Sequence, residues 1–200
     1  DYIRTALGKT LVRDLGLAID FTDEVKLLNA ETLKNYQLLI IFRDGMIWPD
    51  GYGSQAFWAR GGSVEIVSDP PVPEQKAERV YWMTEAQGEA VKAFVENGGA
   101  ALLYHNVTYI ATDNAPFRDT LGAATEGHPP VRSFKVEITN SDHPITRGAK
   151  DFVVTDEQHF LTYDKDPVQV LMRSVNEEGQ TFKDLGNACE AGWAYDYGEG

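Results

Sequence analysis

Two unbroken apolar runs, QLLIIF at 37–42 and AALLY at 100–104, limit how this chain can fold. A strand with one wet face alternates apolar and polar residues. A strand covered on both faces does not, and that pattern belongs to a parallel sheet with helices on either side. The stretch MTEAQGEAVKAFVENGG before the second run reads as such a helix. Thr84 and Gln87 form a capping box, Ala90, Val91, Phe94 and Val95 make its buried stripe, and Gly98 and Gly99 end it. Upstream, Ile3, Leu7, Leu11 and Leu15 with Val12 predict an amphipathic helix over 1–15 that stops at Gly16. LAIDF (17–21) reads as a short strand and 30–36 as a helix. Downstream, PFRDTLG predicts a short helix, RSFKVEI (132–138) an edge or half-exposed strand, and VQVLM (168–172) and AGWAYDY (191–197) further strands. This alternation predicts an α/β domain with a doubly wound, mostly parallel sheet. Ligands of such sheets bind beyond the carboxyl ends of the strands, which selects the loops after Phe42 and Tyr104.

Residues 43–82 interrupt the pattern with many glycines, prolines and aromatics, Trp48 among them. An insertion this long between core elements reads as a lid or binding loop, and equally as a packed insertion or subunit contact.

The 200 residues suit one domain spanning 1–200. A formal net charge of -13 without a basic stripe argues against nucleic acid and anionic membranes, and suits a neutral or cationic ligand or a metal, while solubility alone accounts for it equally simply. No apolar run approaches the ~20 residues of a membrane span. Self-association into a homo-oligomer stays open. Cys189, the only cysteine, excludes an internal disulfide and a cysteine-rich zinc site, and reads as an inert thiol in the loop GNACE.

Of four histidines, His105 stands where AALLY ends, the place at which α/β folds hold reactive side chains. A histidine bonded into a turn fits the same position. His128 precedes two prolines, which forces extended backbone and suits either a ligand or a plain turn. His143, in SDHPIT, reads as a turn residue. TDEQHF places Glu157 and His159 two apart, on one face of extended chain, with Asp156 beside them. Imidazole and carboxylate together hold divalent metals or act as acid and base. Nucleophile-elbow, Walker-type, dinucleotide-binding and H-E-x-x-H signatures are missing from the sequence.

Taken in order, five segments resemble the trehalose-utilisation (ThuA-like) family: MTEAQGEAVKAFVENGGAALLYHN, TLGAATEGHPP, DHPITRGA, DEQHF (His159 standing where tyrosine is usual) and GWAYDYGEG. The resemblance implies a flavodoxin-like sheet of the class I glutamine amidotransferase-like superfamily. His105 then replaces the amidotransferase cysteine, which argues against glutaminase chemistry. The family is associated with trehalose and related disaccharides through 3-keto-sugar intermediates, so the expected partner is a small carbohydrate. Carried over by motif, the catalytic residues are His105, His128 and Glu157, and the same three would hold a divalent zinc or manganese ion if one is used. Asn106, Asp156 and His159 would contact substrate, and the aromatic loop that holds Trp48, outside these segments, could cover a sugar ring. The family's opening strand with its Gly-Gly-His-type loop and its final strand are not seen here, so the segment is expected to belong to a longer protein. The reading leans to an enzyme of hydrolase, isomerase or lyase type. The alternative is a non-catalytic module that binds sugar or a partner.

Overall fold

Apolar segments that cannot stay wet pack on one another, and the buried residues Ile41, Trp82, Met83, Val91, Val107, Ile110, Ala111, Phe117, Leu121 and Ala124 form the main core. The computed structural model describes residues 2–43, 46–47, 80–176 and 178–200. Trp48 and nearly all of the 43–82 insertion therefore lie outside the described residues.

The two unbroken apolar runs become β1 (Leu38–Ile41) and β4 (Ala100–Leu103), paired in parallel with Leu38 opposite Ala100 and Ile41 opposite Leu103. The helix between them spans Glu85–Glu96, closed at its start by the expected capping box of Thr84 and Gln87. It buries Gly88, Val91 and Val95, with Ala90 and Phe94 half-buried. The Phe94 ring then lies over Gly99 so closely that a Cβ there would sit 2.4 Å from it. The second helix, Ala115–Leu121, has Asn114 as its cap and ends at Gly122, whose φ of +77° only glycine adopts easily.

The remaining strands differ from expectation. Among the described residues only β1 and β4 run parallel; β2 (Met46–Ile47) and β3 (Val80–Tyr81) pair antiparallel, as do β5 (Ala123–Gly127) and β8 (Phe160–Tyr163). A four-stranded antiparallel sheet has the order β10 (Ala188–Trp193), β9 (Val170–Val175), β6 (Arg132–Ile138), β7 (Phe152–Asp156). The architecture is thus mixed α/β. Alternation in RSFKVEI marks a half-wet antiparallel strand, as its buried Phe134 and Val136 show, but β6 lies inside the sheet and not at its edge. LAIDF forms no strand: Leu17 and Phe21 stay exposed, so nothing offsets the ordering of that backbone. The N-terminal helix is α-helical over Tyr2–Leu7 and widens to a π-helix over Gly8–Asp14. Cys189 lies inside β10 and not in a loop. Leu38 and Leu102 are 45% and 47% exposed, so the parallel pair is not covered on both faces among the described residues.

Candidate functional site

Strand ends bring the chemical residues together. After β4, Tyr104 is extended and His105 opens a 3-10 helix, His105–Thr112. That helix is held by buried Val107, Ile110 and Ala111, while Thr108 Oγ1 donates to the carbonyl of His105 at 2.6 Å. The exposed His105 is thereby fixed at the carboxyl end of the parallel pair.

His128 arrives from β5. The β5–β8 register slips between Thr125 and Gly127, and Gly127 N donates to Thr125 Oγ1 at 3.1 Å. Such a bulge re-aims the chain that follows it. Gly127 has φ +110°, open only to glycine, and stands opposite Phe160. The residues just beyond that pair, His128 and His159, therefore face each other with ring centroids 4.8 Å apart. His159 also lies 4.6 Å from the His105 ring. Glu157 follows β7, where Asp156 pairs with Arg132, and the Asp156 carboxylate accepts the Glu157 N–H at 2.8 Å.

Three imidazoles and one carboxylate result. Glu157 Oε2 lies 3.3 Å from His159 Nε2, and Glu157 Oε1 lies 3.7 Å from His128 Nε2. One ligand atom from each of His105, Glu157 and His159 lies within 4.8 Å of the others. The tautomer of His128 follows from chemistry. Its Nδ1 lies 2.9 Å from the carbonyl of Pro129, which can only accept, so Nδ1 carries a proton and Nε2 is the nitrogen that faces Glu157. A backbone partner on the far ring nitrogen is the usual support of a histidine that ligates metal. His159, with a side chain 7% exposed, is pushed down to about 4, first by burial and then by His105, with Glu157 opposing. Its ring is neutral near pH 7: Nε2 donates to the Glu157 carboxylate, which leaves the lone pair on Nδ1.

Of the motif-derived residues, the structure brings together His105, His128, Glu157 and His159. Asp156 stands at the rim as a bond acceptor for the Glu157 backbone. Asn106 follows His105, and its Oδ1 is buried without a partner among the described residues. His143 serves its own turn, with Nδ1 accepting from Ile145 N and its carbonyl accepting from Thr146 and Arg147. The Cys189 thiol is buried and pushed up to about 12 by burial, which leaves it protonated and inert. Sequence reasoning missed two residues. Tyr109 meets His159 edge-on at 5.8 Å, four positions after His105 in the same 3-10 helix. Gln158, between the two site residues, is buried at 1% exposure; glutamine is so seldom buried that no sequence signal marks it.

Among the described residues no helix is long and apolar enough to cross a membrane. No curated protein matches the chain. A solved structure of a ThuA-like protein from Bacteroides uniformis ATCC 8492 is similar in fold, with a TM-score of 0.55 and 21% identity, over 86% of this chain and 59% of that one. This chain thus spans about three-fifths of that relative. The family described as ThuA, trehalose utilisation, matches residues 74–200. With well over half of its length matched, the chain belongs to the ThuA family.

Proposed function

We propose that this domain acts on a carbohydrate, a disaccharide or its 3-keto derivative, at the cluster of His105, His128, Glu157 and His159. The observation that supports the reading is the Glu157 carboxylate set between two imidazole nitrogens at 3.3 and 3.7 Å. A carboxylate or neutral imidazole so placed can take a proton from the carbon beside a sugar carbonyl. The carbon's electron pair then moves toward the carbonyl oxygen, and the proton, now on that base or passed from it to a neighbouring imidazole, is delivered to oxygen or back to carbon. A divalent zinc or manganese ion on His105, Glu157 and His159, or with His128 as the motif resemblance implies, fits this donor set of imidazole nitrogens and one carboxylate. Bound there, it would supply Lewis acidity at the carbonyl. In this reading the parallel β1–β4 pair is the described part of a flavodoxin-like sheet. The half-exposed Leu38 and Leu102 favour a second reading, a non-catalytic sugar- or partner-binding module within a longer protein.

Elemental analysis of the purified protein beside His128→Ala, with proton–deuterium exchange into a 3-keto-disaccharide, separates these readings. About one zinc or manganese per chain, lost in the variant, together with catalysed exchange supports the metal-assisted enzyme. Exchange without metal leaves acid–base chemistry by the chain's own residues. Sugar binding with neither metal nor exchange sinks the enzyme reading.

A further inference from the structure

The residues that hold the site in shape come from a hairpin that gives it no functional group. We propose that the loop joining β9 to β10 is a positioning bracket that sets the spacing between His128 and the Glu157–His159 pair; this rests on the proposed site above.

The bracket grips each arm separately. The first grip is Gln158. Its neighbours Glu157 and His159 turn toward the site, while its own side chain is buried on the opposite side, against the hairpin. Gln158 Nε2 donates to Ser174 Oγ at 3.3 Å and to the carbonyl of Asn187 at 3.1 Å. Ser174 belongs to β9, and Asn187 immediately precedes β10. The Asn187 carbonyl can only accept, so the amide has one permitted orientation. Both acceptors are themselves held. Ser174 Oγ donates to the carbonyl of Cys189, Asn176 N donates to the carbonyl of Asn187, and Asn187 Nδ2 donates back to the carbonyl of Asn176. Gln158 Oε1 has no partner among the described residues, so the two Nε2 bonds alone fix the amide, and displacing it would strand the donor as well.

The second grip is the loop tip. The Phe182 ring lies 5.1 Å from Phe160, which follows His159, and 3.4 Å from where a Cβ on Gly127 would stand. Lys183 Nζ donates to the carbonyl of Glu126 at 2.7 Å, two residues before His128. Lys183 sits at φ +50°, a backbone region that costs a lysine something to occupy. Bonds of Phe182 N to the Gly186 carbonyl and Leu185 N to the Phe182 carbonyl hold the tip in that shape. The tip thus presses on the residues before His128 while Gln158 pins the residue between Glu157 and His159. These are positioning residues, acting through the ligands they hold.

The test uses the metal-free protein with carbon-13-labelled histidine, beside Gln158→Met, which keeps volume and removes the donor, and Lys183→Ala, an exposed change that the fold tolerates. Ring resonances are read by NMR, with His143 as the internal control. The expected result is that Gln158→Met moves the His159 ring resonances, Lys183→Ala moves those of His128, and His143 stays put in both. Cobalt(II) titration of the same proteins is then expected to show a dissociation constant raised about tenfold or more in each variant. Unmoved His128 and His159 resonances in well-dispersed spectra would overturn the bracket. If Gln158→Met does not fold, Lys183→Ala decides alone. If the parent protein binds no cobalt while the rings move as expected, the metal reading fails and the bracket stands. If cobalt binds all three proteins equally and no ring moves, the bracket fails and the metal reading stands.

Discussion

Around Asp119 two lysines and a phenol converge on one carboxylate, whereas around Glu157 three imidazoles crowd another. Asp119 takes Lys92 Nζ at 2.9 Å, Lys165 Nζ at 3.5 Å and the Tyr197 hydroxyl. Lys165 also lies over the rings of Tyr195 and Tyr197 at 5.1 and 5.2 Å, and the Tyr195 hydroxyl donates to the carbonyl of Thr120. The cluster ties the chain after β10 to both helices. Its carboxylate and lysine move toward their charged forms: the Tyr197 hydrogen bond and then Lys92 hold Asp119 down at about 2, and Asp119 raises Lys92. At the other cluster burial drives His159 down to about 4, toward its neutral form, and leaves its Nδ1 buried without a partner among the described residues. Saturated donors and acceptors stabilise a fold and have little left to offer a ligand. Unused lone pairs held close together cost stability and are what a ligand or proton needs.

The largest effect should come from removing the charge at the unsaturated cluster. Glu157→Gln keeps the shape and removes the base. Exchange into a 3-keto-sugar is expected to fall 100-fold or more, on the order of what a positioned base contributes. Bound metal, where present, should fall with it. The thermal midpoint should move by no more than roughly 2 °C, since no saturated network is broken. A large loss of stability with exchange retained would place Glu157 in the same class as Asp119.

Second in size is an acid effect read on the metal-free protein. His159 has a folded value of about 4 against an ordinary 6.5. Between those pH values the unfolded chain takes up a proton that the folded chain refuses. Stability therefore falls as pH drops from about 6.5 to about 4, and this contribution is flat below that. The full loss is about 3 kcal/mol at most. His159→Phe keeps a ring between His105 and His128 and removes the titration, so its denaturant midpoint should lose this slope. An unchanged slope in the variant would assign the acid sensitivity elsewhere.

The two clusters were unequally legible. LLII and AALL were legible as strands from their unbroken apolar runs, although Leu38 and Leu102 stay half-exposed, and Thr84 with Gln87 marked a helix start by local bonding alone. Partner choice was not legible: nothing inside RSFKVEI says that β9 and β7 flank it, because pairing is decided by residues far along the chain. Glu157 and His159 two apart did foretell a shared face, and their side chains meet at 3.3 Å. His105 stood out at the end of AALLY and His128 before two prolines, motif order joined them into one site, and only the β5 bulge explains how His128 reaches His159. Gln158 and the Asp119 cluster carried no signal, since each depends on chain segments that approach only after folding.

The smallest expected effect is at the saturated cluster. Asp119→Asn leaves Lys92 and Lys165 facing each other without their shared anion. Half of the Asp119 side chain is exposed and solvent screens it, so the loss should be about 1 kcal/mol, or roughly 2–4 °C in thermal midpoint. Three features distinguish this loss from that at His159. It should shrink in 1 M salt, where exposed charges are screened within roughly 3 Å. It should vanish at low pH: the carboxylate stabilises the fold above its ordinary value of 3.8, and that contribution fades as pH falls toward about 2. And it should leave keto-sugar exchange and metal content unchanged, because Asp119 is satisfied by its own neighbours. Exchange lost along with stability would mean that the chain after β10 communicates with the histidines, and the separation of a saturated brace from an unsaturated site would have to be abandoned.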